Sequence, residues 1–97
     1  MVIRVLDHVK QCNTAADGLI VGAVIRKALA DGARVDVSFA GVNNAPSSFI
    51  NAAIVSLLDS YSFDFIRQHL KITNATSQII DVIRRRFDSE THRSHAA

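Results

Sequence analysis

The sequence predicts a small α/β domain: a sandwich with a mostly parallel sheet of three to four strands packed with three to four helices. Three observations carry that expectation. Short apolar runs with strand alternation take turns with longer amphipathic runs along the whole chain, which implies strand-helix crossovers and parallel pairing. Ninety-seven residues, 48% hydrophobic and 21% charged, suffice for one modest core and are too apolar for disorder. Gly32, Gly41, Asn43, Asn44, Pro46 and Asn74 punctuate the junctions between runs.

Val2 to Val9 carries five apolar side chains and few helix signals, so it reads as a first strand that enters a polar turn at Lys10 to Asn13. Thr14 is placed to cap the helix that follows, with Asp17 in its first turn facing the positive end of the dipole. That helix stops at Asp31-Gly32, where glycine supplies a left-handed cap. At about 100° per residue, Val21, Val24, Ile25, Ala28 and Leu29 share the face turned to the sheet. The other side offers Leu19, Ala23 and Ala30, bordered by Ile20 and fringed by Arg26 and Lys27, a composition that suits contact with another protein.

Ala33 to Ala40 is the second strand, with Val35, Val37 and Phe39 alternating with Asp36 and Ser38; one face is deeply buried and the other tighter and more polar. Gly41 to Pro46 is turn chemistry. A second helix is expected from Ser47 to Ser60, burying Phe49, Ile50, Ala53, Ile54, Leu57 and Leu58 and leaving Ser48, Asn51, Ser56 and Asp59 outward. A helical turn over Tyr61 to Leu70 pins Phe63, Phe65 and Ile66. Leu70 to Thr73 is a third short strand, and Asn74 to Ser77 caps a last helix that buries Ile79, Ile80, Ile83 and Phe87 and can pair Asp81 with Arg85. The pattern defines one domain over residues 1–88, and residues 89–97, with His92 and His95, read as a flexible C-terminal tail.

Charge and special residues exclude several functions. Residues 1–83 hold seven basic and seven acidic side chains, and the net charge of +2 comes from Arg84, Arg85, Arg86 and Arg93 against Asp88 and Glu90. A balanced body with one arginine triplet argues against nucleic acid as a partner. No apolar run reaches the roughly 20 residues of a membrane helix, and the start lacks a signal peptide, so a cytoplasmic protein with no membrane partner is expected. Cys12 is the single cysteine and fits a reducing compartment. The four histidines are scattered, and neither a serine triad nor a phosphate loop is evident, so the chain is read as no enzyme, with no metal and no cofactor.

In open α/β sheets, working sites gather where strand C-termini meet helix N-termini. Ser47 and Ser48 open a helix directly after a buried strand, and Asn44 and Asn51 flank them. A phosphoryl group there adds roughly −1.5 to −2 charges, which a helix N-terminus accommodates, while a docked partner would be repelled. Either serine could also serve simply as an N-cap, worth about 1 kcal/mol.

From about Thr14 to Phe87 the chain resembles the STAS-like family of unknown function, small bacterial relatives of the STAS domains of anti-sigma factor antagonists. The resemblance rests on Val35-Asp36-Val37-Ser38-Phe39-Ala40-Gly41-Val42, on Ser47-Ser48-Phe49-Ile50-Asn51-Ala52-Ala53, and on Leu70-Lys71-Ile72-Thr73-Asn74. It carries Pro46 and Phe49 where the antagonists' motif has aspartate and glycine. The resemblance implies a regulatory interaction module whose Ser47 or Ser48 is a phosphorylation candidate, and a GHKL-type ATPase or kinase as the protein partner. Asn44, Ser47, Ser48 and Asn51 would form the contact edge, with Leu19, Ala23, Arg26 and Lys27 on the adjoining helix. The alternative function is a small inhibitor or accessory subunit of a larger protein or nucleoprotein complex, acting without a phosphate switch.

Overall fold

The computed structural model of the chain describes residues 1–96, with side chains described as far as Thr91. Three strands, β1 (Val2–Arg4), β2 (Val35–Ser38) and β3 (Leu70–Thr73), form a parallel sheet in the order β1-β2-β3. Four helices accompany them: α1 (Ala15–Ala30), α2 (Ser47–Ala53), α3 (Phe63–His69) and α4 (Ser77–Ala96). This is the predicted α/β class, with three strands and four helices.

The register aligns Ile3, Val37 and Ile72 across the sheet, so by strand alternation these and Val35 face one side while Val2, Arg4, Asp36 and Lys71 face the other. Ile3, Val35 and Val37 are buried, whereas Val2, Arg4 and Lys71 are exposed. Right-handed crossovers between successive parallel neighbours put α1 and α2 on the same face. Their contact is close: a Cβ on Gly18 would lie 2.6 Å from the Phe49 carbonyl oxygen, and one on Gly22 would lie 2.8 Å from that of Ala52. Two glycines one turn apart thus let the α1 and α2 backbones touch. The aligned core of Val21, Ile25, Leu29, Phe39, Phe49, Ile50 and Ile79 is almost fully buried between helices and sheet.

Several expectations hold in detail. Thr14 caps α1, its hydroxyl accepting from the Asp17 N–H at 3.1 Å, and Gly32 takes φ of +81° beyond the helix end. The third strand has the bounds read from the sequence.

Others are corrected. The first strand ends at Arg4, because its pairing partner β2 ends at Ser38; Val5–Asp7 then turns as a 3-10 helix that still buries Val5. The second helix stops at Ala53 and resumes as a 3-10 helix over Val55–Asp59. Ser56 donates its hydroxyl to the Ala52 carbonyl at 2.7 Å, a back-bond that bends helices, and the Arg26 guanidinium takes the Ser56 carbonyl at 2.8 Å. Among the described residues the ion pair on α4 joins Arg86 to Glu90 at 3.8 Å rather than Asp81 to Arg85. The backbone of α4 continues as helix to Ala96, through positions read as tail, with the Thr91 hydroxyl donating to the Phe87 carbonyl at 2.9 Å. The side chains of His92 and His95 lie outside the described residues.

Candidate functional site

The parallel sheet brings the loops after β2 and β3 to one edge, and the first turn of α4 ties them together. Thr76 donates its hydroxyl to the Asn43 carbonyl at 3.0 Å. The Gln78 amide grips Ala45 from both sides, accepting from its N–H at 3.1 Å and donating to its carbonyl at 3.2 Å. Asn74, at φ of +55°, donates through Nδ2 to the Ser38 hydroxyl at 3.0 Å, and that hydroxyl also accepts from the Ala40 N–H at 3.3 Å. The buried Ser38 is therefore satisfied on the polar side of the sheet. These bonds hold the loop that presents α2.

On that support, Pro46 is the N-cap of α2 and offers no side-chain bond. The serines fall at the first two helical positions, so the capping role open to them in the sequence goes to neither. Both are exposed, as is Asn44. Among the described residues neither hydroxyl makes a hydrogen bond.

Asn51, one turn into α2, is half-buried and accepts from Arg86 Nε at 2.8 Å. Ser47, Val82, Arg85 and Arg86 line an open cavity of about 350 Å³. Arg85 and Arg86 therefore share a cavity with Ser47, and the Arg86 guanidinium is oriented by Asn51 and Glu90. An anion placed in this cavity meets positive charge from α4, beyond what the two short turns of α2 supply.

The residues assigned to the first helix form a separate surface. Leu19 is 63% exposed, with Ile20 at 50%, and Ala23 and Lys27 are exposed beside them. Arg26 is not a free cation there, since its guanidinium bonds the Ser56 carbonyl and approaches the Ser60 hydroxyl at 3.5 Å. It joins α1 to the turn after α2.

Other chemistry is placed as follows. Burial pushes the Cys12 thiol up to about 11, with the nearby Asp17 charge adding to the effect, so the thiol stays protonated at neutral pH. His69 stacks on Phe65 with ring centroids 4.0 Å apart and its Nδ1 lies 3.0 Å from the Phe65 carbonyl, a packing role within α3. An open cleft of about 640 Å³ is lined by Asp59, Asp64 and Glu90 together with Tyr61 and Phe63, and shares no residue with the serine cavity. Among the described residues no three His, Cys, Asp or Glu side chains converge in a way that could hold a metal ion, and no single helix is long and apolar enough to cross a membrane.

Sequence reasoning missed Gln78, Thr76 and the placement of Arg85 and Arg86 at the serines. The sequence signal for the first two was a polar helix start, which reads as capping alone. The arginine triplet was visible, but only the approach of α4 to α2 shows that Arg85 and Arg86 line the cavity of Ser47 while Arg84 lines a different groove.

Such a fold, with its exposed junction after the central strand, defines a small α/β domain of the STAS type. The chain belongs to the family described as the STAS-like domain of unknown function, whose model matches residues 21–79. That span takes in β2, the serine junction, β3 and the first residues of α4; the resemblance drawn from Thr14 to Phe87 runs beyond it at both ends, and Arg85 and Arg86 lie outside the match. No curated protein and no solved structure matches the chain.

Proposed function

We propose that this STAS-like domain is a non-enzymatic regulatory module that binds a protein partner through the edge made by Asn44, Ser47, Ser48 and Asn51 together with Arg85 and Arg86. The observation that carries the reading is that two exposed, unbonded hydroxyls stand at a junction braced by Gln78, with Arg85 and Arg86 lining the same cavity as the first of them. A partner loop bearing carboxylates complements that surface. A phosphoryl group on Ser47 brings roughly −1.5 to −2 charges next to Arg85 and Arg86, occupies the guanidiniums that such a loop needs, and repels it. The domain itself stays folded, since the added charge is solvated and paired. The family resemblance supplies the kind of partner, a GHKL-type ATPase or kinase that would also add the phosphate.

The test is binding of such an ATPase to four single variants, Ser47→Asp, Ser47→Ala, Ser48→Asp and Ser48→Ala, by titration calorimetry. At the regulatory position the aspartate variant is expected to bind at least tenfold more weakly, a loss of about 1.4 kcal/mol, and the alanine variant to bind as the wild type does. Arg85→Gln is expected to weaken binding as well. Equal binding by all four serine variants overturns the switch.

A further inference from the structure

The outer face of α1 is an interaction surface separate from the serine junction. We propose that its occupant is a second copy of this chain, the two α1 helices packing antiparallel about a two-fold axis near Ala23.

At about 100° per residue, Leu19, Ala30, Ala23, Ala16, Lys27 and Ile20 follow one another across an arc of about 100°, on the side of α1 turned away from Gly18, Val21 and Ile25. All six are exposed. Leu19 at 63% and Ile20 at 50% leave two large apolar side chains in water next to each other, the kind of surface that a partner covers. Ala16, Ala23 and Ala30 recur every seven residues along the middle of this stripe, the spacing that lets one helix lie along another. Their small side chains permit the axes to close to about 8 Å.

Two patterns on this face give the same register. The alanine repeat is symmetric about residue 23, so in an antiparallel pair Ala23 meets the partner's Ala23 and Ala16 meets the partner's Ala30, while Leu19 and Ile20 straddle the partner's Ala23. Asp17 and Lys27 lie on one flank of the stripe, beside Ile20, and are symmetric about residue 22, one step of about 1.5 Å away. A two-fold axis perpendicular to both helices keeps each flank on its own side, so Asp17 of each protomer faces the partner's Lys27 at both ends of the contact.

That mirrored placement of acid, base and small residues selects a copy of the same chain. A parallel pair would set lysine against lysine, whereas antiparallel helix dipoles attract. Besides Asp17 and Lys27, α1 and its C-cap carry only Arg26 and Asp31. Arg26 is on the other flank, where its guanidinium bonds the Ser56 carbonyl, and it lies about 10 Å along the axis from the partner's Arg26. His8 and Lys10 line the same cavity as Asp17 and Ile20, at the end of the contact reached by the partner's Asp31.

Sedimentation equilibrium of the full chain, from micromolar to millimolar concentration, tests it. One helix pair is a small contact beside the about 1,200–2,000 Å² of stable complexes, so a dissociation constant on the order of 100 μM is expected. The chain is then monomeric in dilute circular dichroism, which checks that each variant folds. Ala23→Glu keeps helix propensity but sets two carboxylates together at the axis, and should weaken dimerisation at least tenfold. Lys27→Glu and Asp17→Lys, each alone, oppose like charges at both ends and should weaken it about fivefold, while their equimolar mixture restores opposite charges at both ends and should associate within about twofold of the wild type. Ser47→Asp, off this face, should dimerise as the wild type does, so the serine junction can fail as a landing site without touching this result. A wild-type chain that stays monomeric at millimolar concentration, leaving Leu19 and Ile20 to some other protein, would overturn the proposal. So would a mixture no tighter than its separate components, or an Ala23→Glu variant that dimerises unimpaired.

Discussion

Replacing Gly18 by alanine tests the packing that positions α2. At an open helical site this change stabilises by about 1 kcal/mol through helix propensity. Here the new Cβ would lie 2.6 Å from the Phe49 carbonyl oxygen and 2.8 Å from the Ala52 Cβ, where ordinary contact begins at 3.4 Å. The helices must therefore part by about 0.8 Å, the difference between 3.4 and 2.6 Å, and the obstacle is backbone rather than a movable side chain. Overpacking of this kind costs about 1–3 kcal/mol, and a backbone obstacle belongs in the upper half of that range. After subtracting the propensity gain, a net loss of about 1–2 kcal/mol remains, or roughly 4–16 °C in Tm for a domain of this size. Thermal unfolding followed by circular dichroism measures it, with the exposed Ala23→Gly as the reference for propensity alone. A Gly18→Ala variant that unfolds at the wild-type temperature or above would show that α1 and α2 are not in backbone contact.

Two further outcomes follow from the same structure. Gln78→Ala removes both bonds to Ala45 and leaves buried backbone groups unpaired, which costs about 1–3 kcal/mol; amide exchange at Ala45 should accelerate well beyond that at Val37. The Cys12 thiol has its pKa raised from 9.0 to about 11, so native alkylation by iodoacetamide should be negligible at pH 7.5 and should rise only as the pH nears 11. Because the folded state holds that proton more tightly than the unfolded chain, its contribution to stability is intact below pH 9 and is lost between pH 9 and 11, and Cys12→Ala should flatten that part of the stability curve.

The elements most legible in the sequence were those set by local chemistry. Thr14, Asp17 and Gly32 fix both ends of α1 through a cap, a dipole contact and a left-handed turn. Strict alternation at Val35, Val37 and Phe39 revealed β2 and its buried face, although the strand spans only Val35–Ser38 rather than the Ala33 to Ala40 read from the sequence. What failed depended on partners distant in sequence. Val5 and Val9 are apolar because they are buried by a turn, not because they continue a strand. At the break after Ala53, Arg26 donates to the Ser56 carbonyl from thirty residues away. The serine pair could be located as exposed and close to a strand end, yet its electrostatic surroundings come from Arg85 and Arg86 on the last helix, which no local pattern connects to it. Gly18 and Gly22 carried a readable signal, two small residues one turn apart on the helix, whose meaning is the close approach to α2.

The proposed landing surface for a protein partner is the junction after β2. Amide chemical-shift mapping of the labelled chain on addition of a GHKL-type ATPase tests it most directly. The perturbed signals are expected to cluster at Asn44 to Asn51 and at Arg85 and Arg86, and to disappear for the Ser47→Asp or Ser48→Asp form that mimics modification. Perturbations confined to the opposite end of the sheet, around Lys27 to Arg34, with the serine amides unmoved, would contradict it.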